Sequence, residues 1–410
     1  MKIWIRRIVA VVLVIAMLFG LQQLVVPKYM DDVLEGSFIE EYYDETTDHD
    51  VLMVGDCEVY ENFSPVTMWE EYGITSYIRG SAQQLIWQSY YLLEEMLQKE
   101  SPKVVVFNVL SMKYNTPQQE GYNRMTLDGM KWSKSKYDAI RASMMDEENM
   151  LDYVFPLLRF HSRITKLESS DFTYYLSKRK VTHNGYYMRI DTLPAEGMEW
   201  TEDEISDYTF GENAWDYLDK MRTLCDEHGA KLLLIKAPSI SPVWYDEWES
   251  QITEYADQYN LTYINYLKLV DELGIDYNTD TYDGGLHMNL SGAEKLSKHL
   301  GKVLSEDFGV ANHQGEEPYA SVWKDKVAFY HDMISAQQKE LDTYGFLKSF
   351  GGYSDDADDE DSDADDADGD DPDGEEADDE DSDADDADGD DPDDEDSGAE
   401  DTDESADAES

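Results

Sequence analysis

The sequence predicts a three-layer α/β/α protein built on a five-stranded parallel sheet, and two features of the apolar pattern predict it. Five short apolar runs are continuous and rich in β-branched residues, as strands buried on both faces should be. Stretches with helical periodicity alternate with these runs, and a strand–helix–strand order favours a parallel, doubly wound sheet. Such sheets bind ligands at the carboxyl ends of their strands, so we expect the functional site at that edge.

The five strands are expected at 51–55, 75–80, 104–109, 232–235 and 262–266. Helices are expected around 82–99, 213–228 and 246–259, and from Ser291 onward with Ser291 as the N-cap. Together these elements place the main domain at residues 48–310.

Two segments depart from this alternation. Residues 110–205 form an irregular insert after the third strand, where a lid that shapes a substrate site would lie, although a packing role alone fits equally well. Residues 311–350 have the pattern of an amphipathic helical extension. Basic side chains of the insert could hold an anionic substrate group or could simply lie on the surface: His161, His183, Arg159, Arg163 and Arg189.

The charge of the chain is concentrated at its carboxyl end. The 410 residues carry a net charge of −60, but residues 351–410 hold 35 acidic residues and no Lys or Arg, which leaves −25 for the rest. A 17-residue acidic stretch at 357–373 recurs at 377–393 and has no apolar face, which predicts a disordered tail. The stretch is similar to a calcium loop, but Ala364 and Ala384 occupy the position of the first carboxylate ligand. A solvated spacer is therefore expected, with weak, diffuse cation binding as the alternative.

Residues 8–26 contain 19 residues without a charge, which is just enough to cross a bilayer. A cleaved signal peptide would end in a small-residue cleavage site, and the sequence QQLVVPKY offers none. Lys2, Arg6 and Arg7 precede the span, and Lys28 alone follows it closely, which predicts a cytoplasmic N-terminus. We therefore expect a membrane anchor within residues 1–30, a polar stalk at 31–47 and an extracytoplasmic main domain.

The charge balance and the cysteine count exclude several classes of protein. Net negative charge and the lack of a basic stripe make nucleic acid an unlikely partner. Cys57 and Cys225 are the only cysteines, too few for a disulfide framework. No cluster of His, Cys and carboxylate residues has the spacing of a zinc site, so no metal is expected. Cys225 lies in a helical stretch and is expected to be structural.

Four polar segments are predicted to meet at the carboxyl edge of the sheet. The first strand ends in Gly55-Asp56-Cys57 and the second in Arg79-Gly80, the third contains Asn108, and a late loop contains Asp283 and His287. Taken singly, each has a plain structural explanation: a Cys at a strand end, for example, is usually a small buried apolar residue. Their order along successive parallel strands is the informative feature.

In that order the segments resemble the motif blocks of the SGNH/GDSL hydrolase superfamily over residues 48–305. The resemblance implies a flavodoxin-like sheet, with Cys57 as nucleophile, His287 as base and Asp283 as its acid partner. It also implies an oxyanion hole made by Cys57, Gly80 and Asn108. Two departures are a Cys where the family has Ser, and an Asp four rather than three residues before the His. Asp56, Arg79, Lys236 and His161 are expected to contact substrate.

Among the branches of this superfamily, the membrane-anchored envelope acyltransferases are most similar, namely the D-alanyl-lipoteichoic acid transfer protein and the alginate O-acetyltransferases. This implies an O-acyltransferase or esterase that acts on an envelope polysaccharide or teichoic acid, with no cofactor and with a membrane-bound O-acyltransferase as donor partner. A thiol is a good nucleophile for such chemistry, but Asp56 and Glu58 beside Cys57 would raise its pKa. A non-catalytic envelope protein that binds polysaccharide is the alternative.

Overall fold

The computed structural model describes residues 2–27, 38–174, 180–200 and 205–350. Its sheet has five parallel strands, as the sequence predicts. They are β1 (Val51–Gly55), β2 (Ser76–Gly80), β3 (Val104–Asn108), β4 (Lys231–Lys236) and β5 (Thr262–Asn265). The strand bounds lie within a residue or two of the predicted ones, because short apolar runs bounded by polar residues define them.

The strands lie in the order β2-β1-β3-β4-β5, and every neighbouring pair is parallel. Gly55 at the end of β1 pairs with Gly80 at the end of β2, and Asn108 at the end of β3 pairs with Ile235 of β4. The carboxyl ends of β1, β2, β3 and β4 therefore lie side by side.

Helices fill most of the connections. The α-helices are Lys2–Val25, Phe38–Glu41, Cys57–Tyr60, Pro65–Tyr72, Ile86–Leu97, Glu120–Leu127, Lys134–Ser143, Met150–Val154, Leu157–Phe160, Ser169–Thr173, Glu212–His228, Asp246–Tyr259, Val270–Leu273, Leu290–Glu306 and Tyr319–Tyr344. Short 3-10 helices occur at Tyr42–Asp44, Val109–Lys113, His161–Lys166, Tyr266–Leu269 and Lys348–Phe350.

Side chains that alternate along the strands form two hydrophobic clusters. Val51 and Met53 contribute to the first, which includes the buried faces of helices Pro65–Tyr72 and Leu290–Glu306. Leu52 and Val54 contribute to the second, together with residues of the helices that begin at Ile86, Glu212 and Asp246. Hydrophobic side chains therefore cover both faces of the sheet, which explains why the strand sequences are apolar throughout.

Two predicted helix starts need correction. The helix expected from residue 82 begins at Ile86, because Gln83 has a φ of 49° that a right-handed helix excludes. The last helix of the sheet domain is capped by Asn289 rather than by Ser291. The Asn289 side chain accepts hydrogen bonds from the backbone N–H groups of Ser291 and Gly292 at 3.0 and 3.3 Å.

The N-terminal helix is long and apolar enough to span a membrane, with a mean hydropathy of 2.6 over its most apolar stretch. At its end, the carbonyl of Val25 accepts a hydrogen bond from the Arg163 guanidinium at 2.8 Å. The predicted stalk is wrong from residue 38 onward, because the short helix there buries Phe38 and Ile39 in the body. The start of that stalk and the acidic tail at 351–410 lie outside the described residues.

Within the segment 311–350, for which the sequence predicts a helical extension, a 26-residue helix, Tyr319–Tyr344, packs on the sheet domain. Trp323 stacks on Trp69 with ring centroids 4.9 Å apart. The insert is a series of short helices up to residue 173, and its later part returns to the sheet edge, where the Asn184 carbonyl accepts a hydrogen bond from the Ile78 N–H at 2.9 Å.

Candidate functional site

Cys57, His287 and Asp283 come together at the carboxyl edge of the sheet. The Sγ atom of Cys57 lies within 4.8 Å of a ring nitrogen of His287. The other side of the imidazole is held by Asp283, whose Oδ2 atom lies 2.6 Å from Nδ1 of His287. The structure thus brings together the three residues that the sequence assigned to nucleophile, base and acid.

Two glycines let the late loop fold into this shape. Gly284 and Gly285 have φ angles of 73° and 107°, in the region that residues with a Cβ rarely adopt. The reversal brings the Asp283 carboxylate back to the chain, where its Oδ1 accepts a hydrogen bond from the His287 N–H at 2.8 Å. An acid four residues before the histidine therefore reaches both the ring and the backbone.

A buried asparagine fastens this loop to the turn after β1. The Oδ1 atom of Asn62 accepts a hydrogen bond from the backbone N–H of Met288 at 2.7 Å. Asn62 has no exposed surface, and it follows the turn that carries Cys57. Asn62 could not be identified from the sequence, because its role depends on a partner far along the chain.

Glu61 is a further member of the site that sequence reasoning missed. Its Oε2 atom lies 3.7 Å from Nδ1 of His287, and its side chain is 4% exposed. The backbone N–H of Glu61 donates to the carbonyl of Cys57 at 3.0 Å, so one helical turn carries both residues. The spacing of four residues from Cys57 was the available signal, since residues four apart lie on one helix face.

Burial acts in opposite directions on the pKa values of His287 and Cys57. The pKa of the His287 imidazole is raised well above its usual value by the nearby Glu61, Cys57 and Asp283 side chains, although burial opposes the rise. Burial raises the pKa of the Cys57 thiol, and His287 moderates that rise. The imidazole is therefore a strong proton acceptor, while the thiol is reluctant to ionise.

Gly80 lies directly against the strand that carries the cysteine. A Cβ atom at Gly80 would lie 2.7 Å from the Gly55 carbonyl oxygen and 3.1 Å from the Tyr60 ring. Only glycine allows the two strand ends to approach so closely. Gly80 is thus placed beside the Cys57 turn, and its predicted part in an oxyanion hole stays a prediction.

Asn108 and Asp56 belong to a buried polar network behind the cysteine. Nδ2 of Asn108 donates to Asp56 Oδ1 at 3.1 Å and to Glu58 Oε2 at 2.9 Å, and its Oδ1 accepts from the Ala237 N–H at 3.1 Å. The two donors of the Asn108 amide are therefore occupied within the protein. The predicted part of Asn108 in an oxyanion hole would require one of these donors to be released, and it stays a prediction.

Lys236 completes the network. Its Nζ atom lies 2.7 Å from Oε1 of Glu58 and 2.6 Å from the Ala237 carbonyl, and its side chain is fully buried. Burial and the Glu58 charge raise the pKa of Asp56 to about 7, against the opposing effect of Lys236. Two carboxyl groups and one ammonium thus share a buried site. Their contacts hold the turn that carries Cys57 in position. Asp56 and Lys236 have these partners within the protein, and the substrate contacts expected of them stay predictions.

Arg79 and His161 lie away from this group. Arg79 is buried and pairs with Glu95 at 2.8 Å and with the Tyr43 hydroxyl at 2.8 Å. The alternation of side chains along β2 directs Arg79 to one face of the sheet and the position of Gly80 to the other. His161 is exposed and contacts only the Leu158 carbonyl among the hydrogen bonds of the described residues. The prediction that these two residues contact substrate is therefore not supported.

The three arginines of the insert that could hold an anionic group have acidic partners within the protein. Arg159 pairs with Glu120, Arg163 with Asp171 and Arg189 with Asp191. His183 is buried beside Phe329, with ring centroids 4.6 Å apart. The second cysteine, Cys225, is buried in the second hydrophobic cluster, as expected.

A cavity of about 390 Å³ lies at the carboxyl edge, between the segments that follow β3 and β4. Its walls combine aromatic rings with a few polar groups and one ammonium, contributed by Lys113, Tyr114, Phe210, Ser241, Tyr245 and Trp248. Aromatic faces flanked by polar groups suit a ligand with both apolar and hydroxyl-bearing surfaces. The positive charge of Lys113, on the cavity wall, acts to lower the pKa of Asp56, against the rise that burial causes.

Comparison with protein-family models gives no match, and comparison with curated proteins gives none either.

Proposed function

We propose that this chain is an envelope O-acyltransferase or esterase of the SGNH type that uses Cys57, His287 and Asp283. The observation that carries the proposal is the convergence of Cys57 and the hydrogen-bonded Asp283–His287 pair at one edge of the sheet. A nucleophile beside a base that a third group orients is the general arrangement of acyl-transfer sites. The strand order 2-1-3-4-5 further supports a three-layer, flavodoxin-like domain.

The proposed reaction has two steps. His287 accepts the thiol proton, the sulfur of Cys57 attacks the acyl carbonyl of a donor, and the leaving group departs with the proton from the imidazolium. A sugar hydroxyl then loses its proton to His287, its oxygen attacks the thioester, and the carbon–sulfur bond breaks to return the thiol. The raised pKa of His287 suits it to hold the proton between these events.

An envelope polysaccharide or teichoic acid is the proposed acceptor, and the N-terminal helix is the proposed anchor that holds the domain outside the cytoplasmic membrane. The aromatic cavity supports a sugar acceptor, since rings such as Tyr245 and Trp248 can pack against the apolar face of a sugar. A membrane-bound O-acyltransferase is the proposed donor.

A non-catalytic protein that binds polysaccharide is the second candidate, and one observation favours it. The amide of Asn108 is occupied by Asp56 and Glu58, so it offers no free N–H donor to a developing oxyanion at this strand end. Loss of one such donor costs about 3–4 kcal/mol of transition-state stabilisation. The cavity and the sheet edge could then serve binding alone.

The decisive test is covalent labelling of the full-length chain in detergent with an activated acyl donor. We expect a mass increase on the peptide that contains Cys57, loss of the label in Cys57→Ala, and a rate lower by about 10²–10⁴-fold in His287→Ala. Cys225→Ala is the matched control and should label normally. Turnover with an unmodified Cys57 would contradict covalent catalysis, and binding without turnover would favour the second candidate.

A further inference from the structure

The turn after β1 and the loop before helix Leu290–Glu306 bring three potential metal ligands together. The Sγ atom of Cys57, a carboxylate oxygen of Glu61 and a ring nitrogen of His287 all lie within 4.8 Å of one another. Sequence spacing did not predict a metal site, because the histidine lies far from the other two residues along the chain. We propose that these three side chains bind a zinc-class divalent cation.

The donor atoms determine the class of metal. A thiolate, an imidazole and a carboxylate are the three protein ligands that zinc prefers, whereas calcium and magnesium take oxygen ligands. Later first-row ions such as cobalt share the preference for nitrogen and sulfur. A thiolate and a carboxylate together also neutralise a divalent charge, which matters because Glu61 is buried.

The distances suit a tetrahedral site. Bonds of about 2.0–2.3 Å place neighbouring ligand atoms of such a site roughly 3.3–3.8 Å apart. The three ligand atoms lie within 4.8 Å of one another, which is close to that spacing. Small rotations of the Cys57 and Glu61 side chains, which move their ligand atoms by up to about 1 Å, would close the remaining gap.

The second layer of contacts already matches a metal site. Asp283 holds Nδ1 of His287 at 2.6 Å, which leaves Nε2 for the metal and fixes the tautomer. A carboxylate on the second nitrogen is the usual support of a histidine ligand. Asn62 fixes the backbone beside His287 through the Met288 N–H. Three protein ligands would leave the fourth position to water.

The consequence for activity rests on the proposed function. The cation would take the thiolate of Cys57, with release of the thiol proton to solvent, and would occupy the lone pair of His287. Neither group could then take part in acyl transfer. Metal binding and thioester formation would therefore exclude each other, and the metal-free form would be the active acyltransferase.

The test uses the full chain, freed of metal by a chelator and titrated with Co²⁺, whose bond to a thiolate gives a charge-transfer band in the near ultraviolet. We expect about one equivalent to produce the band in the wild type and in Cys225→Ala. Cys57→Ser should lose the band while remaining folded. The acidic tail contains no cysteine, so weak cation binding there cannot produce this signal.

The other ligands are tested by affinity. Glu61→Gln should weaken Co²⁺ binding, Asp283→Asn should weaken it by about 10–100-fold, and Glu71→Gln, an exposed matched control, should not change it. Absence of the band in the wild type, or an unchanged affinity in Glu61→Gln, would overturn the site. Thioester formation is measured separately on metal-free protein, so failure of acylation leaves the metal result intact, and the reverse also holds.

Discussion

Both carboxylate oxygens of Asp283 are engaged by His287, one by the ring at 2.6 Å and one by the backbone N–H at 2.8 Å. The acid therefore fixes the position of the histidine and the direction of its ring at once. This closed arrangement depends on the four-residue spacing, which in the sequence looked only like a departure from the SGNH motif.

The charge of Asp283 should be visible in the titration of His287. Asp283→Asn removes one of the groups that raise the pKa of the imidazole, so the pKa should fall towards the ordinary value. The measurement is NMR of the ring in metal-free protein. Asp271→Asn, which changes an exposed carboxylate, should leave the titration unchanged, and an equal shift in both variants would contradict the assigned partnership.

The buried ammonium of Lys236 should matter for stability. Lys236→Met leaves the carboxyl groups of Asp56 and Glu58 in a dry site without a cation, and breaking a buried pair in this way costs about 3–5 kcal/mol. Chemical denaturation gives the free energy of unfolding. Lys231→Met, at the exposed start of the same strand, is the control, and similar losses in the two variants would argue against a special role for the pair.

How far the sequence could predict this architecture differs between the sheet and the site. The five strands were predictable because continuous β-branched runs have few other uses in a domain of this kind. Cys57, Asp283 and His287 were predictable because the ends of parallel strands meet at one edge. The roles expected of these residues came in addition from the resemblance of their segments to the SGNH motif blocks.

The remaining features depend on three-dimensional contacts. Nothing in the local sequence of Asn108 shows that Asp56 and Glu58 would occupy its amide. The role of Glu61 depends on its contact with His287, which is far from it in the sequence. Arg79 precedes Gly80 in the sequence, but successive side chains of a strand point to opposite faces of the sheet, and its guanidinium pairs with Glu95 and the Tyr43 hydroxyl.

His183 should make the protein sensitive to acid. Burial lowers the pKa of its imidazole to about 3, below the ordinary value of about 6.5 expected in the unfolded chain. The unfolded state therefore binds more protons between these values, and stability should fall as the pH falls from about 6.5 to about 3, by an amount on the order of a few kcal/mol.

His183→Phe should remove that part of the pH dependence. It should be neutral or stabilising at pH 7, because neither ring nitrogen of His183 has a hydrogen-bond partner among the described residues. Thermal unfolding across this pH range is the measurement. His331→Phe, on the exposed side of the helical extension, should keep the wild-type slope; a parallel slope in His183→Phe would refute the explanation.

The helical extension should be part of the cooperative unit. Trp323→Ala removes a fully buried indole that stacks on Trp69, a change that typically costs about 3–5 kcal/mol. The midpoint of denaturant unfolding should fall accordingly. Phe346→Ala, which truncates a ring that is 36% exposed, should have a small effect. A silent Trp323→Ala would mean that the extension unfolds separately.

The proposed orientation in the membrane can be tested with protease. The basic residues Lys2, Arg6 and Arg7 before the apolar span predict a cytoplasmic N-terminus. Protease added to intact spheroplasts should therefore digest the region after residue 30, whereas a tag before Lys2 should be protected. Protection of the main domain would rule out both the orientation and an envelope substrate.

The hydrogen bond from Arg163 to the Val25 carbonyl bears on where the proposed activity could take place. In the anchored arrangement that we propose, this hydrogen bond holds the insert against the end of the apolar helix. The domain would then stay next to the membrane surface instead of moving freely on a flexible linker. The proposed site could then reach only a short distance from the membrane. Polymers would have to come to the layer next to the lipid, which favours acceptors that are still attached to the membrane or newly emerging from it.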